Sequence, residues 1–378
     1  MSKLVSSEFQ SWESLYWPEG VPRYVDVSLP QADLLIRGSG NWQYASGGRT
    51  LGWDWLSAAA SDVKSKLEGR GSRCLSLEGD DLLAGLLGEL LVLSRISSVE
   101  LVQGTRPSCG LSASISVSGD NSRPSISFTE GSQDSWSIPS QATSYLSISL
   151  EGRRVIYSAE ALWGAAKSLS AFLGLESEKG IAVVGAPFGE FELSAAALSI
   201  ATGVRVMYSK DGSRAGDYTA VFIGASAVGS IDGKLPKGLS YAGVEGPLSA
   251  DITRKIERSL GYPVLQMYGV SGRGILFSNP KDFNVHGSVG IAVTNVDAVI
   301  SEVLEASWYR GRRLLGPGEE GELAVKGSFI DISFNAGDQR QRPIQVRISG
   351  KNQQWLGVGV LGKMDENGYL YPGGRSFA

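Results

Sequence analysis

Leu265-Gln266-Met267-Tyr268-Gly269-Val270-Ser271-Gly272-Arg273-Gly274 is the stretch on which the reading of this chain turns. It continues an apolar run, Val264 to Met267, that is cleanly delimited on its amino side. Ser249 offers an oxygen to cap a helix that runs to Leu260, Gly261 stops it, and Pro263 lies just beyond. Helix, stop and short apolar strand form one unit of an alternation that extends backward. Strands are expected at 181–185, 204–208 and 220–224, with a helix over about 191–201. Apolar runs of four to six residues alternating with amphipathic helices imply a doubly wound parallel sheet buried on both faces.

The same rhythm holds toward the amino terminus. Trp55, Leu56, Ala59, Val63 and Leu67 recur at spacings near three and four, which predicts a helix from 53 to about 67. A strand at 74–77 follows, then a helix whose first turn Asp80 or Asp81 can cap. Its apolar run, Leu82 to Leu93, is broken by Glu89 and falls far short of the roughly 20 residues a bilayer requires, so it reads as a core helix. Between 111 and 136 serine alternates with apolar residues on either side of Gly119-Asp120-Asn121, which predicts two strands or a hairpin, with a serine linker as the competing reading. After Gly287 the chain becomes strand-rich and glycine-punctuated. The expected fold class is therefore α/β followed by a smaller β subdomain, divided into 1–145, 146–285 and 286–378.

Composition narrows the function. With 378 residues, 42% apolar and 20% charged, the chain is an ordinary globular protein of a few packed subdomains. A net charge of -4 and a pI near 5.4 argue against a nucleic-acid partner, which would call for a basic face. Cys74 and Cys109 are too few for a disulfide scaffold and lack metal-ligand spacing, so reduced buried thiols are expected. The single histidine, His286, excludes a multi-histidine zinc site and sits in a turn with no serine elbow nearby, which points to a structural role. Residues 1–10 lack a basic start followed by an apolar run, so no signal peptide, no membrane span and a cytoplasmic location are expected.

Four ordered segments resemble the adenylate-forming (AMP-binding) superfamily, specifically a degenerate N-terminal portion of acyl-CoA synthetases such as the fatty-acid-CoA ligases. The first runs from Leu235-Pro236-Lys237-Gly238 through Gly243-Val244-Glu245 and the following helix to Met267-Tyr268-Gly269. The others are Gly287-Ser288-Val289-Gly290, Gly318-Glu319-Glu320-Gly321-Glu322-Leu323, and Asp365-Glu366-Asn367-Gly368-Tyr369 leading to Arg375. The resemblance implies an acyl-CoA synthetase-like N-terminal core with doubly wound parallel sheets and a β subdomain. It implies ATP or AMP as cofactor, and a binding set of Gly243, Val244, Glu245, Tyr268, Gly269, Ser271 and Arg375, with the Tyr268 ring stacking on adenine.

The departures from that pattern are chemical. In the family a Tyr-Gly-x-Thr-Glu signature supplies a magnesium-binding glutamate, but here Gly272 stands at that place and Ser271 replaces the threonine, so magnesium is not expected. Trp355-Leu356-Gly357-Val358-Gly359-Val360 resembles a Trp-Phe-x-Thr-Gly-Asp motif in which the ribose-binding aspartate has become Val360. The phosphate loop, normally rich in Ser, Thr and Gly, corresponds to Ser147 through Val155, keeps one glycine and carries Glu151, and reads more simply as strand-turn-strand. The sequence ends three residues after Arg375, where the family continues into a small lid domain carrying a lysine, so that lid is expected to be absent. No residue is assigned a catalytic or metal-binding role, and coenzyme A is left open.

Three functions are compatible with this pattern: a pseudoenzyme that binds an acyl group, an adenine nucleotide or a protein partner; a split ligase completed by a separate domain; and a structural subunit. A partner domain would return a lysine but not two carboxylates at 272 and 360, which favours the first. Each candidate residue also has a plain reading: Tyr268 for packing, the glycines for turns and Arg375 for a surface ion pair.

Overall fold

Short buried strands joined by helices account for most of the chain. The computed structural model describes residues 16–37, 42–69, 74–79, 81–103, 109, 111–117, 124–130, 144–150, 153–175, 180–210, 218–229, 231, 239–303, 311–334 and 336–376. The chain begins with α1 (Ala32–Arg37), the hairpin β1 (Gln43–Ser46) and β2 (Arg49–Gly52), and α2 (Trp53–Glu68). Next come β3 (Cys74–Glu78), α3 (Leu82–Leu93), β4 (Ser98–Val102), β5 (Leu111–Val117), β6 (Pro124–Glu130), β7 (Tyr145–Leu150) and β8 (Arg153–Ser158). The middle holds α4 (Ala159–Leu173), β9 (Gly180–Val184), α5 (Glu190–Thr202), β10 (Arg205–Ser209), β11 (Ala220–Ile223), β12 (Tyr241–Glu245) and α6 (Ala250–Leu260). Strands β13 (Val264–Val270), β14 (Gly274–Ser278) and β15 (Ile291–Ala292) follow. The remainder is β16 (Val296–Ser301), β17 (Arg312–Arg313), β18 (Gly321–Gly327), β19 (Arg342–Ile348), β20 (Lys351–Met364) and β21 (Leu370–Ser376).

Three sheets result. The first has the order β6-β5-β3-β4-β7-β8, parallel at its centre and antiparallel at both ends. The second has the order β15-β14-β13-β12-β11-β9-β10-β1-β2, with six consecutive parallel strands from β13 to β1. The third is almost wholly antiparallel, with β16, β18, β20, β19 and β17 in order and β21 on β20. Helices α3, α4 and α5 lie between the first two sheets: α3 touches β3, β4 and β7, α5 touches β9, β10, β11 and β14, and α4 reaches both β8 and β14.

That sandwiched position explains the composition of α3. All twelve of its residues are buried, so it can be apolar on every side without crossing a membrane. Asp81 caps it, accepting a hydrogen bond from the Leu83 amide at 3.0 Å, and also receives the Tyr44 hydroxyl. Glu89 is fully buried there with neither carboxyl oxygen hydrogen-bonded, and burial pushes its carboxyl well above the ordinary range. Among the described residues no helix is long and apolar enough to cross a membrane.

The anticipated elements around 249–267 are present. The Ser249 hydroxyl oxygen accepts from the Ile252 amide at 3.3 Å, and Gly261 closes α6 in the left-handed conformation. Strand β13 runs three residues past Met267, because β14 folds back against it and draws Tyr268 and Gly269 into the sheet, with a register shift between them. The serine-rich segment forms the antiparallel pair β5–β6, and the phosphate-loop candidate forms the antiparallel pair β7–β8. Glu151 and Gly152, between those last two strands, lie outside the described residues, as do residues 235–238 of the adenine-side loop. His286 takes a structural place, its Nε2 2.7 Å from Glu257 Oε2.

The cysteines depart from expectation. Cys74 and Cys109 are not thiols but form a buried disulfide, with Cα atoms 5.6 Å apart, inside the range such bridges occupy. Adjacency of β3 and β5 in the first sheet brings them together. A separation of 35 residues carries no hint of it.

Candidate active-site crevice

Open α/β sheets bind ligands where their parallel strands end, and helix amino termini there attract anions. In the second sheet that place is formed by the ends of β9, β11 and β12 and the first turn of α5. The loop after β9 reads Gly185-Ala186-Pro187-Phe188-Gly189, and Gly189 takes the cap position of α5 without offering a side-chain oxygen. The first turn carries two carboxylates, Glu190 and Glu192.

Glu190 is the hub of the crevice. Its Oε2 accepts the Tyr157 hydroxyl at 2.8 Å and the Gly272 amide at 3.3 Å, while its Oε1 accepts the Ser271 hydroxyl at 2.9 Å. One side chain thus joins α5, β8 and the β13–β14 turn. Burial and the neighbouring Glu190 carboxylate push the Tyr157 hydroxyl well above the usual tyrosine value, so it stays a donor.

Glu192 is folded inward. Its Oε1 accepts the Ala186 amide at 2.8 Å, and a Cβ added to Gly185, Gly189 or Gly224 would collide with its carboxyl group. Three backbone segments can approach that closely only because they carry no side chain there. Burial, reinforced by the Glu245 carboxylate, raises Glu192 to about 7. Glu245, at the end of β12, accepts the Ala225 amide at 2.8 Å, and burial together with Glu190 raises its carboxyl too.

A cavity of about 140 Å³ opens beside these groups, lined among others by Tyr157, Glu190, Ser194, Glu245, Gly269 and Ser271. Ser194, Gly274 and Ile275 also border a small second recess walled by Leu162, Ala165 and Leu169 of α4 and Ala197 of α5. Among the described residues that line the first cavity there is no lysine, arginine or histidine.

The expected binding residues divide accordingly. Glu245, Gly269 and Ser271 line the cavity. Gly243 and Val244 are buried within β12, where a Cβ on Gly243 would meet the Met267 side chain at 2.7 Å. Tyr268 is part-buried in β13 with its ring 6.4 Å from that of Phe277, and is not among the residues lining the cavity. Arg375 falls in β21, and its side chain lies outside the described ones. Val360 lies in β20 of the third sheet.

Gly272 has a positive φ of 69°, and a Cβ there would lie 2.5 Å from the Ile156 carbonyl oxygen and would also collide with Ala336. On this side the segment after β18 is tied to β8 and to the β13–β14 turn. The Ala336 carbonyl accepts the Ile156 amide at 2.9 Å, and the Gln341 side chain donates to the Ser271 carbonyl at 2.7 Å. The buried Arg273 donates to the Phe334 carbonyl at 2.6 Å. Positions 272 and 360 lead one to expect a crevice poor in carboxylates, yet α5 and β12 supply three. Tyr157, Glu190 and Glu192 were not among the sequence candidates. For the two glutamates the signal is a glycine-bounded loop between a parallel strand and a helix with acids in its first turn, and Tyr157 has no such mark.

No family model and no curated protein matches the sequence. Solved structures do match. A long-chain-fatty-acid-CoA ligase from Archaeoglobus fulgidus aligns over 96% of this chain and 87% of its own, at 12% identity and a TM-score of 0.69. MatB from Rhodopseudomonas palustris, solved with ATP bound, aligns over 92% of this chain and 79% of its own at 17% identity and a TM-score of 0.68. The o-succinylbenzoate-CoA synthetase MenE from Bacillus subtilis, in complex with AMP, aligns over 90% and 77% at 16% identity and a TM-score of 0.63. At these identities the likeness is one of architecture. The chain has the α/β fold of the adenylate-forming acyl-CoA ligases.

Proposed function

We propose that this chain is a non-adenylating protein on the acyl-CoA ligase fold, a pseudoenzyme whose crevice binds a small molecule without activating it. The observation that carries this reading is the placement of Glu190. The Tyr157 hydroxyl, the Ser271 hydroxyl and the Gly272 amide are donors at a helix amino terminus, the arrangement that would receive a phosphate oxygen, and all three are given to a carboxylate of the chain itself. A nucleotide polyphosphate would meet Glu190 and Glu245 with no cation to balance it among the described lining residues. These residues do not fit ATP, although the fold holds ATP in MatB and AMP in MenE.

Gly272 supports the same reading from the other side. Its surroundings exclude a longer side chain, so a metal-binding carboxylate has no room at that position. Two measurements test the proposal together. Pyrophosphate exchange with ATP, magnesium and a panel of carboxylic acids should stay at background, and calorimetry with AMP should show no saturable heat. Acid-dependent exchange would overturn it.

A further inference from the structure

Resting on the binding reading above, we infer that the crevice takes a small organic cation, a protonated amine or amidine with a short apolar substituent, its charge held between Glu190 and Glu245.

The inference follows from how donors and acceptors are distributed around the cavity. The Tyr157 and Ser271 hydroxyls and the Gly272 amide already point at Glu190, and the Ser194 hydroxyl donates to the Glu190 carbonyl at 2.7 Å. What these side chains leave to an incoming molecule is acceptor capacity: carboxylate oxygens and hydroxyl lone pairs. A ligand that donates from several N–H groups and carries positive charge meets that lining. An anion or a molecule that only accepts does not.

Electrostatics favour the same sign. The side chains that act on Glu192 and Glu245 through their charge are other carboxylates, Glu245 on the first and Glu190 on the second. Burying like charges together is costly unless a counter-charge joins them. The Arg340 guanidinium, whose charge acts on Tyr268, is itself paired with both Asp338 oxygens.

Shape selects an organic cation over a bare ion. Ser194, Gly274 and Ile275 are common to the polar cavity and to the apolar recess of about 10 Å³ between α4 and α5, so alkyl walls adjoin the polar lining. Among the described residues no group of three or more His, Cys, Asp or Glu is arranged to hold a metal ion. At about 140 Å³ the cavity is below the roughly 300–1,000 Å³ of drug-sized pockets, which limits the ligand to a few heavy atoms beyond its charged head.

The test is calorimetry on the full chain at low salt with methylammonium, propylammonium, propionate, propanol and AMP. Propylammonium should bind at least tenfold more tightly than propionate or propanol, and more tightly than methylammonium by up to roughly fourfold per methylene. Glu245→Gln, whose folding is verified by its melting curve, should weaken propylammonium at least tenfold while leaving propanol unchanged. Binding of propionate or AMP in place of the amines would overturn the cation inference and leave a ligand-binding crevice. Silence from every compound would overturn the inference and count against the binding reading as well. An amine that binds Glu245→Gln as tightly as the parent chain would also refute the assignment.

Discussion

Gly272 and Ile156 sit so close that a methyl group on the first would lie 2.5 Å from the carbonyl oxygen of the second. The glycine also holds a φ of 69°, a region in which non-glycine residues pay about 1–3 kcal/mol. Restoring a carboxylate here by Gly272→Glu should therefore not restore ligase chemistry. Urea denaturation should show a loss of about 2 kcal/mol or more, and pyrophosphate exchange should remain at background. A stable variant with measurable exchange would show that the segment around Ala336 yields readily.

The Glu190 hub should behave as a coupled unit. Tyr157→Phe removes one donor to a part-buried carboxylate and should cost roughly 1–3 kcal/mol. Ser271→Ala removes another. Because both act on the same carboxyl group, the double variant should depart from additivity by about 0.5 kcal/mol or more in a double-mutant cycle read by chemical denaturation. Strict additivity would show that the two hydroxyls do not share Glu190 in solution.

Glu192 sets a pH dependence whose sign is fixed by its environment. Its carboxyl is raised from 4.5 to about 7 by burial and by Glu245. Between those values the folded chain keeps a proton that the unfolded chain has released, so stability falls as pH rises through about 4.5 to 7. The penalty is complete above about 7 and is on the order of 3 kcal/mol. Glu192→Gln should stabilise the protein at pH 8 but not at pH 4, flattening that part of the profile of urea midpoint against pH. Equal effects at both pH values would remove Glu192 from this role.

The Cys74–Cys109 bridge closes a loop of 35 residues. Loop-closure entropy assigns such a bridge roughly 3–4 kcal/mol, less any strain in the folded state. Reduction under native conditions, or Cys109→Ser, should lower the melting temperature by several degrees, and thiol titration of the unreduced, denatured chain should find no reactive groups. Two titratable thiols in that sample would return the cysteines to the reduced state.

Much of the architecture was legible because local signals agreed with one another. Ser249, Gly261 and Pro263 bracket α6 and its following strand so tightly that tertiary packing had little left to decide. The apolarity of α3, broken by Glu89 alone among charged residues, marked a core helix, and the alternation through 111–128 announced the β5–β6 pair. What escaped depends on distance along the chain. Cys74 and Cys109 meet because two parallel strands are neighbours, and the residues between them say nothing about that. Glu190 and Glu192 read as ordinary favourable acids in a helix's first turn. Only the arrival of Tyr157, Ser271 and Gly272 from two other segments turns Glu190 into the centre of the crevice. Resemblance drew attention to Gly243, Val244 and Tyr268, none of which lines the cavity, because the motif that marks them also serves sheet packing.

The β1–β2 hairpin finishes the edge of a sheet whose other strands are encoded far downstream, with Tyr44 aligned to Val206 on β10. During synthesis the hairpin leaves the ribosome about 160 residues before its partner, an interval of roughly 8–30 s at ordinary elongation rates. Throughout that wait Tyr44 and Leu51, buried in the finished protein, have no sheet to join. The second sheet is therefore completed late, and this hairpin can take its place only once β10 has emerged.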